Sequence, residues 1–263
     1  MFSKSDYDKL KEIMDESPEK KELLTRLLDS HQMTLSMVSH EIRNPLTLVY
    51  STLQLMESRY PNVLDIPYWS NLRHDIEYMK LLLEELSSYN NGERLSLSSI
   101  DLNTFFKALA LSFASSLIDT DIQFVSYIEA ALPPFYGDAL KLKEVFLNLL
   151  KNARDAVENS SVSPAIHLSV THTNSSHKVT SDNLISGYTS AILIVIEDNG
   201  CGIDASKLST IFDPFVTYKK NGTGLGLALS QRIIHAHNGH INATSVPGIS
   251  TTFTVSLPIQ QHT

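Results

Sequence analysis

Ser39-His40-Glu41-Ile42-Arg43-Asn44-Pro45-Leu46-Thr47 is the stretch on which the reading of the fold turns. On either side of it, and within it, Leu24, Leu28, Leu35, Val38, Ile42, Leu46, Val49, Leu53 and Met56 recur every three or four positions, the pattern of an amphipathic helix with one seam facing a core. His40 stands two residues from both Val38 and Ile42, about 200° around the helix from either, and so is expected to point to solvent. Glu41 is its neighbour, and Asn44 lies one turn on along the same face. A histidine, a carboxylate and an amide on one polar patch are suited to carrying a phosphoryl group. Alone, an exposed histidine is an ordinary surface residue, so the weight rests on what the rest of the chain supplies.

Ser17 and Pro18 set the start of that helix, the first as cap and the second at the first helical position. A short polar helix is expected before them, over 1–16. The long helix runs to about Arg59 with Pro45 inside it, where the missing N–H leaves the Glu41 carbonyl unpaired and predicts a bend near the histidine. A second helix is expected to begin near Asp65-Ile66-Pro67, to carry Trp69, Leu72, Ile76, Met79, Leu83 and Leu86 at helical spacing, and to stop at Asn90-Asn91-Gly92. Two helices with one apolar seam each bury little on their own. A homodimer that closes an antiparallel four-helix bundle is therefore expected.

The 263 residues allow one large domain or two modest ones. A formal net charge of -8 argues against nucleic acid or an anionic membrane as the main partner, since both require a basic field. The single cysteine, Cys201, excludes an intrachain disulfide and fits a reducing cytoplasm. The chain opens on a charged segment, and no apolar run approaches the ~18 residues of a membrane span, so a cytoplasmic, soluble chain with no membrane segment is expected. No internal repeat is visible.

After Gly92 the pattern changes. β-type runs at 95–100, 122–128, 166–171, 191–197, 240–245 and 251–257 interleave with helical patterns at 102–117, 139–158 and 225–237. The whole reads as an α+β protein: a segment 1–18, a helical domain 19–92, and an α/β sandwich over 93–260. The polar stretch 172–190 is expected to be a long hairpin loop. His167, His172 and His177 lie too loosely spaced for a metal site, with no Cys or clustered carboxylates beside them.

Three constellations in this second domain carry chemistry. In the helix from Lys141 to Asp155, Val145, Phe146, Leu149 and Ala153 mark the buried side, while Glu144, Asn148 and Asn152 step by four along the other. That polar row, extended by Asp155, offers oxygen donors suited to Mg²⁺; two mid-helix Asn residues, mediocre helix formers, call for a reason. Next, the strand 191–197 runs into Asp198-Asn199-Gly200-Cys201-Gly202, an acidic side chain at a strand end able to accept from an exocyclic amine such as that of adenine, followed by glycines that permit close approach. Third, Asn221-Gly222-Thr223-Gly224-Leu225-Gly226 leads into a helix whose N-terminal amides favour phosphate. Its one-apart glycine spacing and the lack of a βαβ repeat exclude a dinucleotide-binding fingerprint.

In this order the elements resemble a sensor histidine kinase of two-component signalling, with a dimerisation and histidine-phosphotransfer domain followed by a Bergerat-type ATP-binding domain. His40-Glu41-Ile42-Arg43-Asn44-Pro45 resembles the phosphoacceptor box, 144–152 the asparagine box, Asp198-x-Gly200-x-Gly202 and Gly222-x-Gly224-x-Gly226 the two glycine boxes, and Phe212-Asp213-Pro214-Phe215 the phenylalanine box. Thr217 and Lys219 follow the family pattern, and Tyr218 departs from it where a second Thr is usual. The resemblance implies that His40 accepts the γ-phosphoryl of ATP and that Asn152, with Asn148, holds Mg²⁺ and the triphosphate. It implies further that Asp198 reads adenine, that the second glycine box forms the end of a lid over the phosphates, and that Lys219 meets phosphate charge. Glu41 is the candidate base, with Glu144 as the alternative, and an aspartate of a response-regulator receiver domain is the implied acceptor. Asn44 stands where family members with an amide or hydroxyl dephosphorylate their regulator; a short polar residue before Pro45 is the structural alternative. Nothing ahead of Ser17 is long enough for a sensor, so the chain is expected to be a small partner-driven kinase or the core of a longer one. A phosphotransfer scaffold with an idle ATP domain and a gyrase-type ATPase are the rival readings. Intact boxes disfavour the first, and the His40 box with the acidic charge disfavours the second.

Overall fold

The computed structural model describes residues 13, 17–158, 163–173, 190–219 and 222–259, leaving aside the side chains of 28, 29, 31, 32, 35 and 36. All but residue 13 of the helix expected over 1–16, and the loop residues 174–189 with His177, lie outside the described residues. The chain divides into two units, Met1–Asn90 and Asn91–Thr263.

In the first unit, helix α1 spans Pro18–Arg59: Ser17, extended at φ -159°, accepts at its side chain from the Lys20 N–H, and Pro18 occupies the first turn. The helix continues through Pro45. Its partner, α2, spans Trp69–Asn90, starting later than the expected 65–67. The reason is local: Pro61–Asp65 folds as a 3₁₀ turn that buries Val63, and Tyr68 at φ 70° reverses the chain before Trp69. Leu53, Val63, Trp69 and Ile76 form the small core, with Leu46 and Tyr50 packed against it. Trp69 Nε1 donates to Glu57 Oε1 at 2.9 Å, and Arg73 pairs with Glu57 and Glu77 at 3.3 and 3.1 Å, tying the start of α2 to α1. Much of the expected seam stays uncovered in the single chain: Val38, Ile42, Val49 and Met56 are 48%, 49%, 46% and 36% exposed. No helix of the described residues is long and apolar enough to cross a membrane.

The second unit is a mixed sheet with helices on one face. In order come β1 (Ser98–Ile100), α3 (Leu102–Ser115), β2 (Gln123–Ile128), β3 (Phe135–Gly137), α4 (Ala139–Val157), β4 (Ala165–Thr173), β5 (Ala191–Asp198), α5 (Ala205–Leu208), α6 (Gly226–Ala236), β6 (His240–Val246) and β7 (Ser250–Pro258). The five-stranded sheet has the order β2-β4-β5-β7-β6, with β2 parallel to β4 and the other pairs antiparallel. Ile192, Ile194 and Ile196 of β5 and Ile166, Leu168 and Val170 of β4 are buried at alternate positions, the signature of one covered face. Phe106, Phe113, Phe146, Leu149, Ile233 and Ile234 of the helices are buried as well. The expected strand 95–100 is only three residues long, because it is set by pairing with β3, a strand the sequence pattern did not predict: Ile100 lies opposite Phe135. This packing fixes the ends of β5, α4 and α6, where the polar residues gather.

Candidate functional site

On α1, His40, Glu41 and Asn44 are all exposed, whereas Ser39 beside them is buried at 1%. Three residues beyond His40, Arg43 donates from Nη2 to the Leu83 carbonyl at 3.4 Å, fastening this turn of α1 to α2. The turn that carries the imidazole is thus tied to α2.

In the second unit Asp138 caps α4, its Oδ1 accepting from the Leu140 and Lys141 N–H groups at 3.0 Å each. The expected buried side, Val145, Phe146, Leu149 and Ala153, is joined by Leu142, Leu150 and Val157, which leaves Glu144, Asn148, Asn152 and Asp155 half-buried along the opposite side. Their partners divide the row. Glu144 pairs with Lys141 at 3.2 Å. Asn148 donates from Nδ2 to Ser230 Oγ at 2.9 Å, and Ser230 in turn donates to the Gly226 carbonyl at 2.9 Å. Gly226 lies so close that a Cβ there would stand 2.6 Å from Asn148 Oδ1, so the start of α6 rests on the asparagine. One turn further, Asn152 Oδ1 and Asp155 Oδ2 converge on the ammonium of Lys219, at 2.8 and 2.6 Å.

Asp198 ends β5 buried, at 2% exposure. Burial pushes its carboxyl up to about 6, with the like charge of Glu197 adding to the rise, while N–H groups of Gly200 and Thr251 and the charge of Lys219 oppose it. Gly200 donates to Asp198 Oδ1 at 2.9 Å and leaves no room for a side chain, since a Cβ would meet the Ala156 carbonyl oxygen at 2.5 Å. The strand end therefore abuts the last turn of α4, and Asp198, Gly200, Asn152, Asp155 and Lys219 are brought together. Gly202, at φ 65°, sits where an L side chain is strained and would overlap the Val246 carbonyl. Cys201 is exposed between the two glycines.

The glycine segment is braced by the residues before it. Gly224, at φ 72°, accepts from the Phe215 N–H at 2.9 Å, and Phe215 is itself at φ 65°, an uncommon backbone state for a bulky residue. Gly222 packs on the Thr217 hydroxyl. Phe212 turns inward, edge-on to Phe253 at 6.4 Å. Tyr218, the departure from the family pattern, meets Thr210 Oγ1 at 3.2 Å and lies under the Lys207 ammonium at 4.7 Å. Helix α6 opens with no side-chain cap, so its first N–H groups lack one.

Ser230 and Thr251 are site residues that sequence reasoning missed. Ser230 carried a signal, a small hydroxyl four residues after Gly226 among the apolar positions of α6; Thr251 carried none. Asn152 and Asp155 fit a hard cation, because two oxygens from one helix already share a cationic ligand. The buried acceptor oxygen of Asp198 fits an amine donor. His167 and His172 form no metal cluster, and among the described residues no such group exists.

Residues 30–94 match the family model of the "His Kinase A (phospho-acceptor) domain", and 137–261 that of the "Histidine kinase-, DNA gyrase B-, and HSP90-like ATPase". The signal transduction histidine-protein kinase AtoS of Escherichia coli is 34% identical over 222 residues, 84% of this chain and 34% of that protein. The sensory histidine kinase/phosphatase NtrB of Rhodobacter capsulatus is 32% identical over 227 residues, 85% of this chain and 61% of that protein. Sporulation kinase C of Bacillus subtilis is 30% identical over 260 residues, covering 97% and 56%. The chain thus spans between a third and three-fifths of the length of these relatives. Among solved structures, full-length ShkA in complex with AMPPNP superposes with a TM-score of 0.66 at 21% identity, over 87% of this chain and 46% of that one. The histidine kinase AdeS of Acinetobacter baumannii gives 0.53 at 22% identity, over 84% and 98%, and both likenesses concern the fold.

Proposed function

The chain belongs to the histidine kinase family, and on that premise we propose that it is an ATP-dependent protein kinase acting on its own His40. The observation that carries this reading is the exposed imidazole of His40, within a phospho-acceptor match, on a chain whose second unit matches an ATPase domain. An imidazole nitrogen of His40 forms a bond to the γ-phosphorus as the bond from that phosphorus to the departing ADP oxygen breaks. Glu41, exposed beside it, receives the imidazole proton; Glu144, held by Lys141, is the alternative at the nucleotide end.

Asp198 accepts from the adenine amine, Gly200 and Gly202 let the base approach the backbone, and Asn152 and Asp155 take the cation. Asn148 holds Gly226 in place, so that the segment from Gly222 through Gly224 to Gly226 lies at the phosphates and the start of α6 presents backbone N–H groups to them. Mg²⁺, when bound, neutralises triphosphate charge. Catalysis is then chiefly positioning and charge compensation. The phosphoryl group passes to an aspartate of a response-regulator receiver domain, and the exposed side chains Val38, Ile42, Val49 and Met56 support a homodimer.

With Mg²⁺ and γ-labelled ATP the protein is expected to gain label that acid removes and mild alkali spares, and His40→Gln to abolish it while nucleotide binding persists. Label persisting in that variant overturns the assignment. The same labelled chain, offered to a regulator, tests the reverse reaction, a reading favoured by the kinase/phosphatase relative and by the exposure of Asn44. Asn44→Ala slows loss of phosphate from the regulator if its amide holds the attacking water, and leaves that rate unchanged if it does not.

A further inference from the structure

We propose that Lys219 is a built-in counter-ion of the Asn152–Asp155 pair, standing in the place of a divalent cation until one arrives with the nucleotide. The inference rests on the nucleotide-site reading and deepens it. The ammonium reaches across 67 and 64 residues of sequence to bond Asn152 Oδ1 at 2.8 Å and Asp155 Oδ2 at 2.6 Å. Both oxygens lie on one side of α4, three residues apart, and are the hard donors that a small divalent cation seeks.

A metal ion bound to these two oxygens would occupy the space of the ammonium, and two cations cannot share it. Occupancy is therefore exclusive. Without a cation, the Asp155 carboxylate would face incoming phosphates with its charge uncompensated. Lys219 supplies that compensation from within the chain, and it can also leave: its side chain is 46% exposed, on a flexible four-carbon stem, and ion pairs of this exposure hold weakly. Its charge also acts on Asp198, so the ammonium sits within electrostatic reach of the base-binding end of the site. The result is a site that keeps bare Mg²⁺ out and yields to Mg²⁺ accompanied by a nucleotide.

The test compares the full chain with Lys219→Met and Lys219→Arg. Mn²⁺ titrated into nucleotide-free protein and followed by electron paramagnetic resonance is expected to bind about three- to fivefold tighter to Lys219→Met, the size set by one weak ion pair removed. In a second arm, the Mg²⁺ concentration giving half-maximal binding of a non-hydrolysable ATP analogue is expected to fall by a similar factor. Lys219→Arg is expected to retain the parent's behaviour in both. Equal Mn²⁺ affinity in parent and Lys219→Met, including no binding to either, overturns the proposal, and so does a rise in the Mg²⁺ requirement, which would make Lys219 a nucleotide ligand only. If the parent binds no analogue at any Mg²⁺ concentration, it is the nucleotide-site reading that fails, and the Mn²⁺ arm still decides on the counter-ion.

Discussion

Asp198 couples burial to pH in two opposite ways. Its carboxyl is raised to about 6, so the folded chain holds this proton more tightly than the unfolded one does; the contribution to stability is present at low pH and is lost as pH rises through about 6. If Asp198 accepts from an adenine amine as proposed, its ionised form is the stronger acceptor, and nucleotide affinity runs the other way. From pH 7.5 to pH 5 the parent's ATP affinity is expected to fall about tenfold relative to that of Asp198→Asn, the loss that one pK unit below the midpoint imposes. Titration calorimetry of both proteins checks it, and parallel pH curves would remove Asp198 from the base site. This residue was legible in the sequence because an acid followed by glycines at a strand end is a local pattern. The bonds from Lys219 to Asn152 and Asp155 were not, since 67 and 64 residues of chain separate the partners and only the packed sheet brings them together.

At the scale of elements, the helices α1, α3, α4 and α6 declared themselves through periodicity, and α1 also through its cap at Ser17 and Pro18. The short pieces β3, α5 and the turn Pro61–Asp65 did not, because three to five residues carry too few periods and owe their shape to tertiary partners such as Ile100 opposite Phe135. One such tertiary joint is open to measurement. His237, buried at the end of α6, accepts at Nε2 from the Asp138 N–H at 2.9 Å and bonds the Ile233 carbonyl through Nδ1 at 2.8 Å. Asp138 caps α4 and also accepts from the Ser96 N–H at 2.8 Å, so α4, α6 and the segment before β1 meet at one buried knot. Burial chiefly lowers the imidazole's pKa, so the neutral ring is favoured; this contribution to stability is present above the ordinary histidine range and is lost as pH falls through it. His237→Phe leaves the Asp138 N–H without its acceptor and is expected to cost about 1–3 kcal/mol near neutrality. The variant is also expected to lose part of the parent's sensitivity to acid as pH falls below the ordinary histidine range. Denaturant unfolding at several pH values measures both, and an unchanged midpoint would show the knot to be dispensable.

Over the whole molecule, the change of pattern near Gly92 made two units legible, and the structure divides the chain at Asn90. A seam of apolar residues reads the same whether its cover is the second helix or another chain. In the single chain Leu53 finds α2 while Val38, Ile42, Val49 and Met56 keep 36–49% of their surface. Covering each of them contributes roughly 1 kcal/mol, set against an association cost of about 4–15 kcal/mol, so both helices must contribute to any dimer. Sedimentation at micromolar concentration is expected to find the full chain dimeric and residues 93–263 monomeric; a monomeric full chain would discard the bundle. Those uncovered side chains flank His40 on the same helix, so pairing through them would make the amount of protein an input. Wherever the population is mostly dissociated, mass action makes the paired fraction grow in proportion to concentration, so the amount of pair climbs with the square of the dose. Were the proposed transfer to need the pair, doubling the copy number would raise phosphoryl flow about fourfold with no stimulus at all, and halving it would leave about a quarter.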